Sequence, residues 1–146
     1  VEIVSQLMPG SFPNFRSLIP SDHKNRIVVN QSEFMRAVRT SSIFARDGSG
    51  ILRIQVVSDE DGGKLSISSR AEELGDNHSE IDGAIEGEVD EESRIAFNNK
   101  YLSEVLDVLG DGDVAFEMTS ASSPGVVRAL GKDGYTHVVM PMFVQW

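Results

Sequence analysis

The chain has 146 residues, 13 Lys+Arg against 23 Asp+Glu for a formal net charge of −10, 40% hydrophobic residues and no cysteine. That length suits one domain with a real core and room for a fragment of a second, and apolar residues recurring along an ordinarily charged chain exclude disorder as the main state. The lack of cysteine excludes a disulfide framework, thiolate catalysis and a Cys-based zinc site; no apolar run reaches the ~20 residues that span a bilayer and no signal-type segment opens the chain, so a cytoplasmic domain without a membrane partner is expected.

Val1-Glu2-Ile3-Val4 reads as a strand already under way, without an initiator Met, and residues 9–20 form a Pro-punctuated extended connector. We expect 1–20 to be the tail of a preceding domain with its connector, and 21–146 to be one further domain. After a polar turn at 21–25, a strand at 26–29 leads into a helix opened by Asn30, with Glu33 three residues on. Phe34, Val38, Ser41 and Ala45 fall on its inner side; Arg36, Arg39, Thr40 and Ile43 fall on the outer side. Leu52, Ile54 and Val56, then Leu65 and Ile67, alternate with polar residues around a turn at 59–63, which predicts a hairpin. Strands near 79–87 and 93–97 precede a second helix over about 100–109, capped by Asn98 or Asn99 and stopped by Gly110. Its apolar stripe is Tyr101, Leu102, Val105, Leu106 and Leu109, with Lys100, Ser103, Glu104 and Asp107 toward solvent. Further strands are expected near 113–118, 125–130 and 134–140. Two helices among about eight strands predict an α+β domain with antiparallel sheet.

The charge is uneven: residues 1–50 hold six Lys/Arg against four acids, whereas residues 51–100 hold five against thirteen. An acidic chain does not coat nucleic acid, so any contact with DNA needs a small basic face or an assembly that holds it there. No Gly-rich phosphate loop, HExxH, GxSxG or paired Cys/His spacing is present, so no catalytic residue, cofactor or metal is assigned. His23, His78 and His137 are far apart in sequence and read as satisfied or solvated. Asp59, Glu60 and Asp61 could offer oxygens to a hard cation, but the spacing of a calcium loop is absent and a solvated turn is favoured. The acidic run 59–92 reads as an edge that discourages aggregation or as a surface complementary to a basic partner. Met140-Pro141-Met142 follows an apolar strand, which suits an adaptable apolar docking surface beside the connector or, alternatively, closure of the core.

Three segments carry a resemblance. Val138-Val139-Met140-Pro141-Met142 resembles the end of the bacterial sliding clamp, the beta subunit of DNA polymerase III. Ser11-Phe12-Pro13-Asn14-Phe15-Arg16-Ser17-Leu18-Ile19-Pro20 is similar to that family's "FPxYRxxxP" connector. Asn98-Asn99-Lys100-Tyr101-Leu102-Ser103-Glu104-Val105-Leu106 resembles its "N-x-x-Y-L-x-(D/E)-x-L" helix. Together they span essentially the whole chain in order, which implies the third, C-terminal clamp domain preceded by the last stretch of the second.

The resemblance implies a DNA-clamp fold, antiparallel sheets outside backed by two helices, in a non-catalytic processivity factor. Full length, such a protein forms a homodimeric ring around duplex DNA and tethers the polymerase. Arg36, Arg39 and Lys100 would be DNA-facing, touching phosphate without reading sequence. Pro13, Ser17, Leu18, Ser122, Pro124, Val138, Val139, Met140, Pro141 and Met142 would line a pocket for short apolar peptides of polymerases, the clamp loader and repair proteins. Ile43, Phe44, Glu72, Glu73, Asp76 and Glu80 would lie at the dimer seam, which this fragment cannot close, so a monomer or a weak nonnative dimer is expected. The chain departs from the family in having Ser17 where Arg is frequent, and Phe-Val-Gln-Trp at 143–146 where Arg-Leu is common. Two other functions stay open at this stage: an acidic structural or adaptor domain unrelated to replication, and a metal-dependent hydrolase using Asp59, Asp61 and neighbouring acids.

Overall fold

The computed structural model describes residues 1–12, 14–46, 49–60, 62–71, 75–132 and 134–146. After a single 3-10 turn at Phe15–Leu18, the elements run β1 (Asn25–Asn30), α1 (Gln31–Arg46), β2 (Ile51–Asp59), β3 (Gly62–Ala71), β4 (Gly75–Gly87), β5 (Arg94–Asn98), α2 (Asn99–Leu109), β6 (Asp113–Met118), β7 (Gly125–Ala129) and β8 (His137–Val139). Every strand pair is antiparallel, in the order β5-β2-β3-β4-β1-β6-β7-β8. The expected α+β class is therefore met.

The long β4 joins the two halves of the sheet. Residues from Gly75 to Gly83 pair with β3, and those from Ala84 to Gly87 pair with β1. At the changeover a Cβ on Gly83 would lie 2.7 Å from Ile27 Cγ1 and 2.8 Å from Val28 O, so only glycine admits β1 this closely.

Both helices cover the sheet with the faces their periodicity selects. Phe34, Val38, Ser41 and Ala45 are buried on α1, while Arg36, Arg39, Thr40 and Ile43 are exposed. Asn30 Oδ1 accepts the N–H groups of Ser32 (3.1 Å) and Glu33 (3.3 Å), two donors that the first turn cannot satisfy itself. Asn98 Oδ1 caps α2 likewise through Lys100 N at 3.0 Å, and Lys132 Nζ donates to Leu109 O (2.7 Å) at the other end. Buried Gln31 donates Nε2 to Leu106 O at 2.6 Å and fixes α1 against α2. Between them and the sheet lies one apolar core that includes Ile27, Leu52, Ile67, Phe97, Leu102 and Phe116; the Phe97 and Phe116 rings meet edge to face, 6.0 Å apart.

Three expectations change. The strand expected at 1–4 does not form: residues 1–10 lie outside every element, since a strand keeps its shape by pairing and none of the described strands pairs with it. Tyr101 is 59% exposed rather than part of the α2 stripe. The buried residues are Leu102, Val105, Leu106 and Leu109, and Tyr101 falls on the rim of that arc beside exposed Val108. The last strand is shorter than 134–140, because only three residues pair with β7.

Candidate docking notch and basic helix face

The β6–β7 loop is where distant parts of the chain converge. Thr119 Oγ1 donates to Asp22 O (2.9 Å) and Lys24 N donates to Met118 O (2.9 Å), which ties the stretch after the connector to this loop. Within the loop, Ser120 Oγ accepts from Ser123 N at 3.1 Å, leaving Ser122 exposed and Pro124 half-buried. The β7–β8 register then sets Gly125 against Val139 and Val126 against Val138. Pro124 and Met140 are the next residues outward at that end of the ladder, so Ser122, Pro124 and 138–142 gather in one place. Val139 is buried, Val138, Pro141 and Met142 are half-buried, and Met140 is 59% exposed.

The connector forms its own small turn. Ser17 spends its N–H and hydroxyl on Asn14 O, at 3.0 and 2.7 Å, and Leu18 is 47% exposed. Pro13 lies outside the described residues. Beyond the notch, Lys24, Ser122 and Trp146 line one cavity of about 310 Å³, so the stretch after the connector and the segment after β8 meet around this loop, while the described contacts of Ser17 stay within the connector's own turn. Asp90 sits 2.5 Å from Lys24 Nζ; the hydrogen bond between them raises the lysine and lowers the carboxylate relative to their ordinary values. His137 on β8 lies 3.0 Å from the Tyr135 hydroxyl, and burial pushes its imidazole below the ordinary histidine range, favouring the neutral ring.

Arg36, Arg39 and Lys100 are all exposed on the outer side of the helix pair. Arg36 and Arg39 share a shallow cavity of about 460 Å³ with Gln31, Thr40 and Asp107. Arg39 is not a free cation: its Nη2 lies 2.9 Å from Asp107 Oδ1 across the two helices. Helical spacing sets both residues toward solvent, but no local spacing links them as a pair.

Of the remaining predicted residues, Ile43 and Phe44 lie on α1, and Asp76 and Glu80 on β4 alongside it. Ser41 Oγ donates to Asn77 Oδ1 (2.7 Å), bringing the last turns of α1 against the start of β4. There Ile43 is 53% exposed and Phe44 half-buried, with Asp76 3.6 Å from Arg70 and Glu80 3.2 Å from His78 Nε2. Glu72 and Glu73 lie outside the described residues. Of the acidic turn, Asp59 pairs with Lys64 at 2.8 Å, whose pKa it raises by that hydrogen bond, and Asp61 is outside the described residues. Among the described residues, no group of three His, Asp or Glu gathers as a metal site would need, and no helix is long and apolar enough to cross a membrane.

Residues 16–143 match the family model described as DNA polymerase III beta subunit, C-terminal domain. The chain is similar to the beta sliding clamp of Bacillus subtilis (strain 168), with 29% identity over 94% of this chain and 35% of that protein. Among solved structures it is similar to the DNA polymerase sliding clamp of Bacillus subtilis, with a TM-score of 0.82 and 30% identity over 97% of this chain and 36% of the other. The fold also matches the DNA polymerase III beta subunit of Thermotoga maritima, TM-score 0.84 at 24% identity, covering 93% of this chain and 35% of that one. The chain thus spans about a third of the length of the relatives it matches.

Proposed function

Because this chain belongs to the family formed by the C-terminal domain of the DNA polymerase III beta subunit, we propose that it is the third domain, residues 21–146, of a bacterial sliding clamp, with 1–20 the end of the second domain and its connector. The match over nearly the whole chain carries this reading. In the full-length protein two copies close a ring around duplex DNA in the cytoplasm, and the ring raises polymerase processivity by topology rather than by chemistry. A slippery inner surface suits that role. Arg36, Arg39 and Lys100 supply modest attraction to phosphate, while Glu104 and Asp107 on the same side limit it.

The notch of Ser122, Pro124 and 138–142, together with Pro13, Ser17 and Leu18 of the connector, receives short apolar segments of the polymerase, the clamp loader and repair proteins. Exposed Met140 is suited to this, because a flexible thioether adapts to several related apolar side chains. Ile43 and Phe44 with Asp76 and Glu80, and Glu72 and Glu73 by their sequence resemblance alone, form the domain's half of the dimer seam. The acids there favour a basic opposing edge. Primer extension on a circular single-stranded template by the cognate polymerase and clamp loader tests the reading. Added full-length protein is expected to lengthen the products of a single binding event; unchanged product length would refute it.

A further inference from the structure

Residues 143–146 follow the docking segment and are held in place by contacts from β2 and β5. Met142 N donates to Ala96 O at 2.7 Å, Arg53 Nη2 donates to Gln145 O at 3.3 Å, and the Arg94 guanidinium lies 4.9 Å from the centre of the Trp146 ring. Ala96 faces away from Ile95 and Phe97 and pairs with Arg53, so it lies on the side of the sheet opposite the core. It is nonetheless 0% exposed, which is what a covering segment between the two arginines produces. The segment ends in the cavity that Trp146 shares with Ser122, a residue of the docking notch, and with Lys24 and Glu92. Trp146 remains 45% exposed and Phe143 85% exposed, so the segment is pinned at a few polar points rather than packed into the core.

We propose that residues 143–146 are a built-in strap that competes with partner segments for the Ser122 end of the notch. This rests on the docking reading above and adds its regulation. A partner reaching Ser122 must first lift Trp146 from Arg94, and the protein binds only in the fraction of time that the strap is open. The strap is held by one partly exposed cation–π contact and one hydrogen bond from a charged donor, contacts weak enough to be displaced. Releasing it is expected to tighten partner binding roughly 5- to 30-fold, mostly through faster association.

The test uses the full-length protein immobilised on a sensor surface, with the cognate polymerase as the binding probe. Trp146→Ala and Arg94→Ala each remove the cation–π contact but leave the Arg53 hydrogen bond, so each is expected to lower the dissociation constant roughly 2- to 5-fold, and either combined with Arg53→Ala by the full factor. Trp146 lies outside every strand and helix, so its loss leaves the fold intact. Equal or weaker binding by both variants overturns the strap and makes Trp146 inert or a wall of the site. Met142→Ala separates the two levels. If it abolishes binding while the strap variants change nothing, only the strap fails; if it changes nothing either, the docking reading fails with it.

Discussion

Gly125 opens β7 one residue after Pro124, and a methyl group there is a direct probe of how the notch is supported. Its backbone is ordinary strand, without positive φ, so substitution carries no conformational strain. An added Cβ would lie 2.5 Å from Phe97 Cζ and 3.1 Å from Phe116 Cε2. Carbon contacts are optimal near 3.5–4.0 Å, so the ring or the strand must yield by roughly 1 Å. Phe97 is fully buried and meets Phe116 edge to face. Overpacking of this kind costs about 1–3 kcal/mol, against a gain of about 0.5 kcal/mol from removing a glycine inside a strand. Gly125→Ala is therefore expected to lose about 1–2 kcal/mol, read as a lower urea midpoint at unchanged slope. Phe97→Leu withdraws the clashing atom, so the double variant should be more stable than the sum of the single losses, by about 0.5–2 kcal/mol. Wild-type stability in Gly125→Ala, or strict additivity in the cycle, would refute the packing argument. Because Gly125 pairs with Val139, the same variant should also weaken partner docking by shifting Pro124 against Met140.

Three further outcomes are expected. Gln31→Ala removes a buried amide from Leu106 O and should cost about 1–3 kcal/mol in chemical denaturation, with α2 loosening first in hydrogen exchange. His137 binds its proton less readily when folded than when unfolded, so it penalises folding as pH falls below the ordinary value of 6.5; stability should decline with acid from there toward the lowered folded pKa, and His137→Gln should flatten that part of the profile. Asp107→Asn frees the Arg39 guanidinium, and in the full-length protein the salt dependence of nonspecific duplex binding should steepen by up to about one in log–log slope, with stability changed by less than about 1 kcal/mol because the pair is exposed.

What the sequence disclosed follows the reach of each interaction. The inner face of α1 was legible because Phe34, Val38, Ser41 and Ala45 repeat within one helix, and the Asn30 and Asn98 caps because capping acts over two or three residues. The hairpin of β2 and β3 was legible for the same reason. Tyr101 was misplaced because an aromatic at the edge of an apolar arc looks the same in sequence as one at its centre. The bonds that fix the helices join residues 75 apart (Gln31 and Leu106), 68 apart (Arg39 and Asp107) and 36 apart (Ser41 and Asn77), and no local pattern announces them. The proposed notch residues come from family resemblance, whereas Arg53 and Arg94, which hold the segment after 142, carry no motif.

The hydrogen bond from Met142 to Ala96 links the run just past β8 to β5, the strands at the two extremes of the sheet order. A polypeptide emerges from the ribosome in sequence order, so every strand is already out before residue 142 can make this link. A released product ending between residues 130 and 141 lacks the Met142 N–H, so the Ala96 carbonyl of edge strand β5 stays uncovered, the kind of edge on which other chains assemble. Translation products interrupted before this run should therefore be enriched among aggregates and chaperone-bound species.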